Sequence, residues 1–154
     1  MSVNVAQFNG VAITAQQDLF ELTAPAAKAV RLLAVKLTQT SEVGDAQEEN
    51  LLILFKRGQT TSGTGGTAPT VVNLHGETAG TAVVEANNTT KASVGTIVTF
   101  DVDTWYERAP FLWVPPSELL IPRITAGVRM TVELATTPAD SITANGAIYW
   151  EEIG

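Results

Sequence analysis

Apolar and polar residues alternate along much of this chain, and the period is that of β-strands. Residues 95–103 set Ile97, Thr99, Asp101 and Asp103 against Val98, Phe100 and Val102. Residues 128–134 alternate as cleanly, with Met130, Val132 and Leu134 between Arg129, Thr131 and Glu133. In 29–38 both alternating sets are largely apolar: Arg31, Leu33, Val35 and Leu37 against Val30, Leu32, Ala34 and Lys36. Such a strand is expected inside a sandwich or against a neighbouring subunit. Residues 51–56 form a nearly continuous apolar strand, and 18–22 and 81–86 are shorter candidates. Segments 3–8 and 11–13 flank Asn9-Gly10, which predicts a hairpin turn. Asn87-Asn88-Thr89-Thr90 predicts another turn, and Asn145-Gly146 a bulge or hairpin within the closing strand 141–153. The polar, acidic stretch 41–50 reads as a loop or short helix, and 117–123 has room for one helical turn.

No segment of useful length carries the helical period, so the helices of a βαβ architecture are missing. About eight strands with turn signals between them predict one all-β domain over 1–154, an antiparallel β-sandwich of jelly-roll type. Its strands are interrupted by Gly58-Gln59-Thr60-Thr61-Ser62-Gly63-Thr64-Gly65-Gly66-Thr67-Ala68-Pro69, a tract with nothing to bury. The excursion runs over 58–80, long for a compact domain, and is expected to be a loop or an arm. Residues 1–7 are a second candidate arm.

Composition narrows the partners. Charged residues make up 16%, below the usual quarter, while 45% are apolar. That balance suits a protein that covers part of its surface with other chains. The net charge of −7 and nine scattered cations disfavour a nucleic-acid partner. Cys is absent, which removes disulfides, thiolate nucleophiles and Cys-based metal sites, and is compatible with a reducing cytoplasm. The first residues carry neither a basic nor an apolar signal region, and no apolar run is long enough to cross a bilayer, so neither a secretory leader nor a membrane is expected.

Candidate chemistry is sparse. The single His, His75, lies in the excursion without a nucleophile motif beside it and reads as a solvated loop residue. Asp101 and Asp103 share a strand face, with Glu107 nearby, a pattern open to a hard cation or a glycosidase pair but also to a solvated strand end. Glu48-Glu49 and Glu151-Glu152 read as solvated or interface charges. Gly63-Thr64-Gly65-Gly66 lacks the Lys-Ser/Thr of a phosphate loop. No catalytic residue, cofactor or metal is expected. The aromatic group Trp105, Tyr106, Phe111 and Trp113, stiffened by Pro110, Pro115, Pro116 and Pro122, is the best binding surface, either packed in a core or subunit interface or presented to sugar. Thr61, Gly65 and Gly66 join it as candidate interface residues.

From Phe55 onward the motifs Phe55-Lys56-Arg57-Gly58, the Thr61 to Pro69 tract, Asn87-Asn88-Thr89-Thr90, Trp113-Val114-Pro115-Pro116-Ser117-Glu118, Ala139-Asp140-Ser141-Ile142-Thr143 and Ala147-Ile148-Tyr149-Trp150-Glu151-Glu152-Ile153-Gly154 follow one another. This order resembles a group of small structural proteins of tailed bacteriophages, over roughly residues 55–154. The resemblance implies a non-enzymatic virion component made in the host cytoplasm, first of all a decoration (cement) protein on the capsid surface. Its implied partners are the major capsid protein and further copies of itself, a trimer before other oligomers. The alternative it leaves open is a tail or host-adhesion component that binds glycan through the aromatic group.

Overall fold

The computed structural model describes residues 2–41 and 48–154. The loop or short helix expected over 41–50 falls mostly outside the described residues. The strands are β1 (Val3–Ile13), β2 (Gln17–Thr23), β3 (Ala29–Gln39), β4 (Asn50–Thr61), β5 (Val72–Asn73), β6 (Val83–Asn88), β7 (Ser93–Tyr106), β8 (Phe111–Trp113), β9 (Arg123–Ile124), β10 (Arg129–Leu134) and β11 (Ile142–Ile153). One 3-10 turn, Glu118–Leu120, follows β8, where the sequence allows a helical turn. The count exceeds the expected eight because β5, β8 and β9 are pairings of two or three residues, too short to show a period.

Two antiparallel sheets face each other. The first runs β5-β1-β11-β3-β8 with β9 also on β3; the second runs β6-β2-β10-β4-β7. Pairing is nested: β1 with β11, β2 with β10, β3 with β8 and β4 with β7. From β1 to β6 consecutive strands alternate between sheets, and the paired strands are far apart along the chain. Inward side chains of both sheets, among them Phe20, Leu32, Ile53, Phe55, Val132, Ile148 and Trp150, form one dry core.

Bulges explain where alternation misleads. Asn9-Gly10 is not a hairpin turn: Val3–Ile13 is one strand, and both residues stand opposite Asn145 alone, between the pairs Phe8↔Gly146 and Val11↔Ala144. Asn145 Oδ1 accepts the Gly10 N–H at 2.9 Å, so one side chain closes the bulge. Leu33 is bulged out between the pairs Ala34↔Tyr149 and Leu32↔Trp150. The inward set therefore changes phase, from Val30 and Leu32 to Val35 and Leu37, and neither predicted alternating set is the buried one. Asn87 and Asn88 end β6, and the chain turns only after them.

Residues 3–7 do not form an arm. They pair with β11 on one side, and Asn4 and Val5 pair with β5 on the other. Val5 and Ala6 are buried, and Asn4 Oδ1 accepts the Gly80 N–H at 2.8 Å. The excursion is also tied down. Its first residues, 58–61, belong to β4, and 62–67 form a strap along β6. Thr64 exchanges both backbone hydrogen bonds with Thr90, and Thr67 both with Ala86. Gly66 is required by this close approach, since a Cβ there would stand 2.1 Å from the Ala86 carbonyl oxygen.

Candidate functional site

The aromatic group lies at the edge where β7 meets β8, and most of it points inward. Trp105, Phe111 and Trp113 are 1%, 6% and 7% exposed; Tyr106 alone reaches solvent. The Trp113 ring stacks on Phe55 with centroids 4.6 Å apart, and Trp105 donates its indole N–H to the Ala109 carbonyl at 3.0 Å. Three buried rings with their polar atoms engaged inside the chain offer no flat platform to a sugar. These three residues fill the core, and they do not form the sugar platform left open as the alternative.

Asp101 and Asp103 lie on the inner side of β7, opposite Phe55 and Ile53. Each carboxylate accepts the backbone N–H of the next residue, Asp101 from Val102 at 2.9 Å and Asp103 from Thr104 at 2.7 Å. β7 is the outermost strand of its sheet, so these amides would otherwise face water unpaired. The second oxygen of Asp101 accepts the Trp113 indole N–H at 2.7 Å, which ties the two sheets together at this edge. Asp101 thus serves the backbone and the core, and Asp103 the backbone. Glu107 is buried apart from them and accepts the Glu49 N–H at 3.1 Å.

A second cluster, which alternation does not flag, covers the outer face of β2, β10 and β4. A bulge at Leu19 brings Asp18 and Glu21 to the same face, opposite Glu133 and Thr131 of β10. All four are nearly inaccessible because the strap and the turn before β7 lie over them. Glu21 pairs with the Arg129 guanidinium at 2.5 Å, and accepts the Ser62 hydroxyl at 2.7 Å and the Gly63 N–H at 2.9 Å. Glu85 accepts Asn88 at 2.7 Å and Ser62 at 3.2 Å. Glu133 holds Lys56 at 2.5 Å and Lys91 at 2.9 Å. Burial raises the Glu133 carboxyl, but its hydrogen bonds and attraction to the two lysines outweigh that and hold it below the usual carboxylate range.

Asp18 is the exception. Burial pushes its carboxyl up to about 7, helped by the charges of Glu133 and Glu21; the Ala92 N–H, donated at 2.7 Å, and Lys91 oppose this only in part. Charge balance makes the same point. With Asp18 protonated, Glu21, Glu85 and Glu133 face three cations, Lys56, Lys91 and Arg129. Ionised Asp18 would be a fourth carboxylate without a cation of its own.

The other candidates are dispersed. Thr61 and Gly65 are exposed, the first at the end of β4 and the second on the strap, while the Gly66 N–H is bound to Asn88 Oδ1 at 3.1 Å. His75 is exposed, its backbone N–H held by Asn73 Oδ1 at 2.8 Å. Glu151 and Glu152 are not solvated charges: they pair with Arg31 and Lys28, each at 3.3 Å, and Glu152 also accepts the Ala82 N–H at 2.7 Å. Glu48 pairs with Arg108 at 3.1 Å. Among the described residues no three His, Cys, Asp or Glu converge as metal ligands. Clefts are shallow: about 300 Å³ beside Gln7 and Lys36, about 220 Å³ beside Gly65 and Asn87, and about 180 Å³ beside Glu21 and Arg129. No helix of the described residues is long and apolar enough to cross a membrane.

What remains open is apolar. Among the described residues twelve large hydrophobic side chains are exposed, and nine belong to the edge strands of the two sheets at one margin of the sandwich: Val94, Ile97, Val98, Val102 and Tyr106 on β7, and Leu112, Val114, Leu119 and Leu120 on β8 and the segment after it. Both faces of β7 are open over most of its length, because the facing strand β8 has only three residues.

No family model matches the sequence, and no curated protein matches it. Among solved structures, T=1 particles derived from infectious bursal virus align at 14% identity and a TM-score of 0.16, over 97% of this chain and 37% of that one. The Gt strain of infectious bursal disease virus aligns at 16% identity and a TM-score of 0.15, over 98% and 40%. This chain spans about two fifths of the length of those chains. Scores of this size establish no shared fold, and nothing about the role of this chain follows from them.

Proposed function

We propose that this chain is a non-enzymatic structural protein of a tailed-bacteriophage virion, a decoration protein that binds the assembled capsid shell and stabilises it. The observation that carries this reading is the distribution of what is left exposed. Trp105, Phe111 and Trp113 are buried and the Asp101 and Asp103 carboxylates are bonded within the chain, while exposed apolar side chains gather at one margin of the sandwich. A surface of that kind acts by contact with other chains. The turn-rich motifs over 55–154 and their resemblance to phage structural proteins point the contact toward a virion. Nested pairing supports reading the sandwich as a jelly roll: β1, β11, β3 and β8 make one four-strand set, and β2, β10, β4 and β7 the other, the order that two rolled Greek keys produce.

The mechanism would be linkage. A protein that binds the closed shell but not its separated subunits raises the shell's stability by its own binding free energy. The major capsid protein is the proposed partner, and the rigid sandwich offers it a surface that needs no ordering on arrival. The test is to quantify this chain on purified heads and to measure the temperature of genome release with and without it. Stoichiometric binding to heads and a higher release temperature are expected. Heads that carry no copy, or whose release temperature does not respond to added protein, would remove the proposal.

A further inference from the structure

The two Asn-Gly dipeptides of the chain, Asn9-Gly10 and Asn145-Gly146, face each other across β1 and β11. A glycine after asparagine leaves the amide nitrogen between them unshielded, so that nitrogen can attack the asparagine side chain; this chemistry is one reason why Asn counts as a thermolabile residue. We infer that Asn9 is a latent site of spontaneous deamidation and that the side chain of Asn145 holds it closed.

The two dipeptides differ in how the glycine nitrogen is held. Gly146 is buried in β11, a strand paired on both sides, and stands opposite Phe8 of β1 and Leu37 of β3. Its amide lies within the sheet. Asn9 and Gly10 are exposed, and pairing stops at Phe8 and resumes at Val11. Gly10 has a φ of +64°, and nothing would stand within 4 Å of a Cβ there. The bulge thus takes this dipeptide out of the ladder. A single hydrogen bond to a side chain takes the ladder's place, from the Gly10 N–H to Asn145 Oδ1 at 2.9 Å.

That bond opposes the first step of the reaction. The Gly10 nitrogen must lose its proton to solvent and bond to Asn9 Cγ. The Cγ–Nδ2 bond then breaks, and Nδ2 takes a proton from solvent and leaves as ammonia. Water opens the resulting succinimide ring at either carbonyl, giving aspartate or isoaspartate. A proton shared with Asn145 Oδ1 is given up less readily, and a nitrogen fixed in the bulge is kept from turning onto its own side chain.

The surroundings also distinguish the two products. Asn9 borders a cleft of about 300 Å³ in which Lys36 is the one charged lining residue. Among the described residues Lys36 takes part in no ion pair. An aspartate formed from Asn9 therefore enters a cleft with a cation and no competing acid. Isoaspartate adds a methylene to the main chain of β1 and disturbs its pairing with β11.

The experiment is incubation of the purified chain in mildly alkaline buffer, with deamidation at Asn9 and Asn145 followed by peptide mass spectrometry and isoaspartate by enzymatic methyl labelling. The native wild type should change slowly at both positions. Asn145→Ala should speed the change at Asn9 roughly five- to tenfold, the scale of one lost hydrogen bond. Asn145→Asp, which keeps an acceptor oxygen for the Gly10 N–H, should keep Asn9 slow. Hydrogen exchange reads the same bond without a variant: the Gly10 amide of the wild type should be protected. An unprotected Gly10 amide overturns the inference, and decides the matter even if Asn145→Ala fails to fold. A folded Asn145→Ala chain whose Asn9 changes no faster than in the wild type also overturns it, as does an Asn145→Asp chain that deamidates as fast as Asn145→Ala.

Discussion

Replacing Asp18 by Asn should stabilise the protein at alkaline pH and destabilise it in acid. The carboxyl is buried, stands opposite Glu133 and titrates at about 7 in the folded chain against 3.8 in the unfolded one. Between those values the unfolded chain gives up a proton that the folded chain retains. Wild-type stability therefore falls as pH rises through this window and levels off above it. At 1.36 kcal/mol per unit, the full cost at pH 8 is about 4 kcal/mol. Asn keeps an oxygen for the Ala92 N–H and offers its amide to Glu133 or Glu21, but loses the attraction of Lys91. A net gain of about 2 kcal/mol at pH 8 remains, on the scale of a group that no longer has to ionise where it is buried. Urea unfolding of both proteins from pH 4 to pH 9 reads this directly. The variant should be about 2 kcal/mol less stable than wild type at pH 4, gain about 1.4 kcal/mol per unit on it, and level off above pH 7. A constant difference across the range, or a loss largest at pH 8, would show that Asp18 is ionised in the fold and would refute the reasoning.

Glu133→Gln should act in the opposite direction, since its carboxylate anchors Lys56 and Lys91: a loss of about 2 kcal/mol at pH 7 that fades as pH falls below the carboxylate range, measured by the same titration. Trp113→Phe removes the indole donor to Asp101 but keeps an aromatic ring against Phe55; a loss of about 1–2 kcal/mol by urea unfolding is expected. Gly66→Ala should lift the strap from β6, read as faster hydrogen exchange at the Thr67 and Ala86 amides with little change at Phe55 in the core. Asp103→Ala frees the Thr104 amide at the edge and should raise turbidity on prolonged incubation relative to the wild type.

The all-β sandwich is legible in the sequence because β4, β7 and β10 alternate or run apolar over six residues or more. The faces of β3 and the continuity of β1 are not, since a bulge at Leu33 or Asn9-Gly10 shifts the period by one and leaves no mark in composition. The excursion reads as a free arm because glycine and threonine have nothing to bury. Its anchors are backbone amides meeting Glu21, Asn88 and Ala86, and any sequence carries backbone amides. The buried charge cluster escapes for a related reason. Asp18 and Glu21 stand three apart, off the strand period, until the bulge at Leu19 aligns them. One signal is available all the same: lone acids in the otherwise apolar strands around 18–22 and 128–134, with cations at Lys56 and Arg129 in strands that could reach them.

Two devices at the sheet margins share one physical consequence. Strap 62–67 occupies the backbone of β6, so the far edge of the second sheet is closed by the chain itself. At the near edge, Asp101 and Asp103 occupy amides of β7. The edges are thus restrained in their hydrogen-bonding capacity by two unrelated means, one a segment and the other a pair of side chains. Apolar side chains are distributed differently: among the described residues most of the large exposed ones lie on β7, β8 and the turn after it, with Val72, Leu74 and Val83 elsewhere. If exposure at β7 were merely tolerated, the lysines that usually guard an open edge would be expected there, and β7 carries none. Amide protection and apolar exposure on β7 are separate features of one edge: the first acts on backbone pairing, the second on contact through side chains.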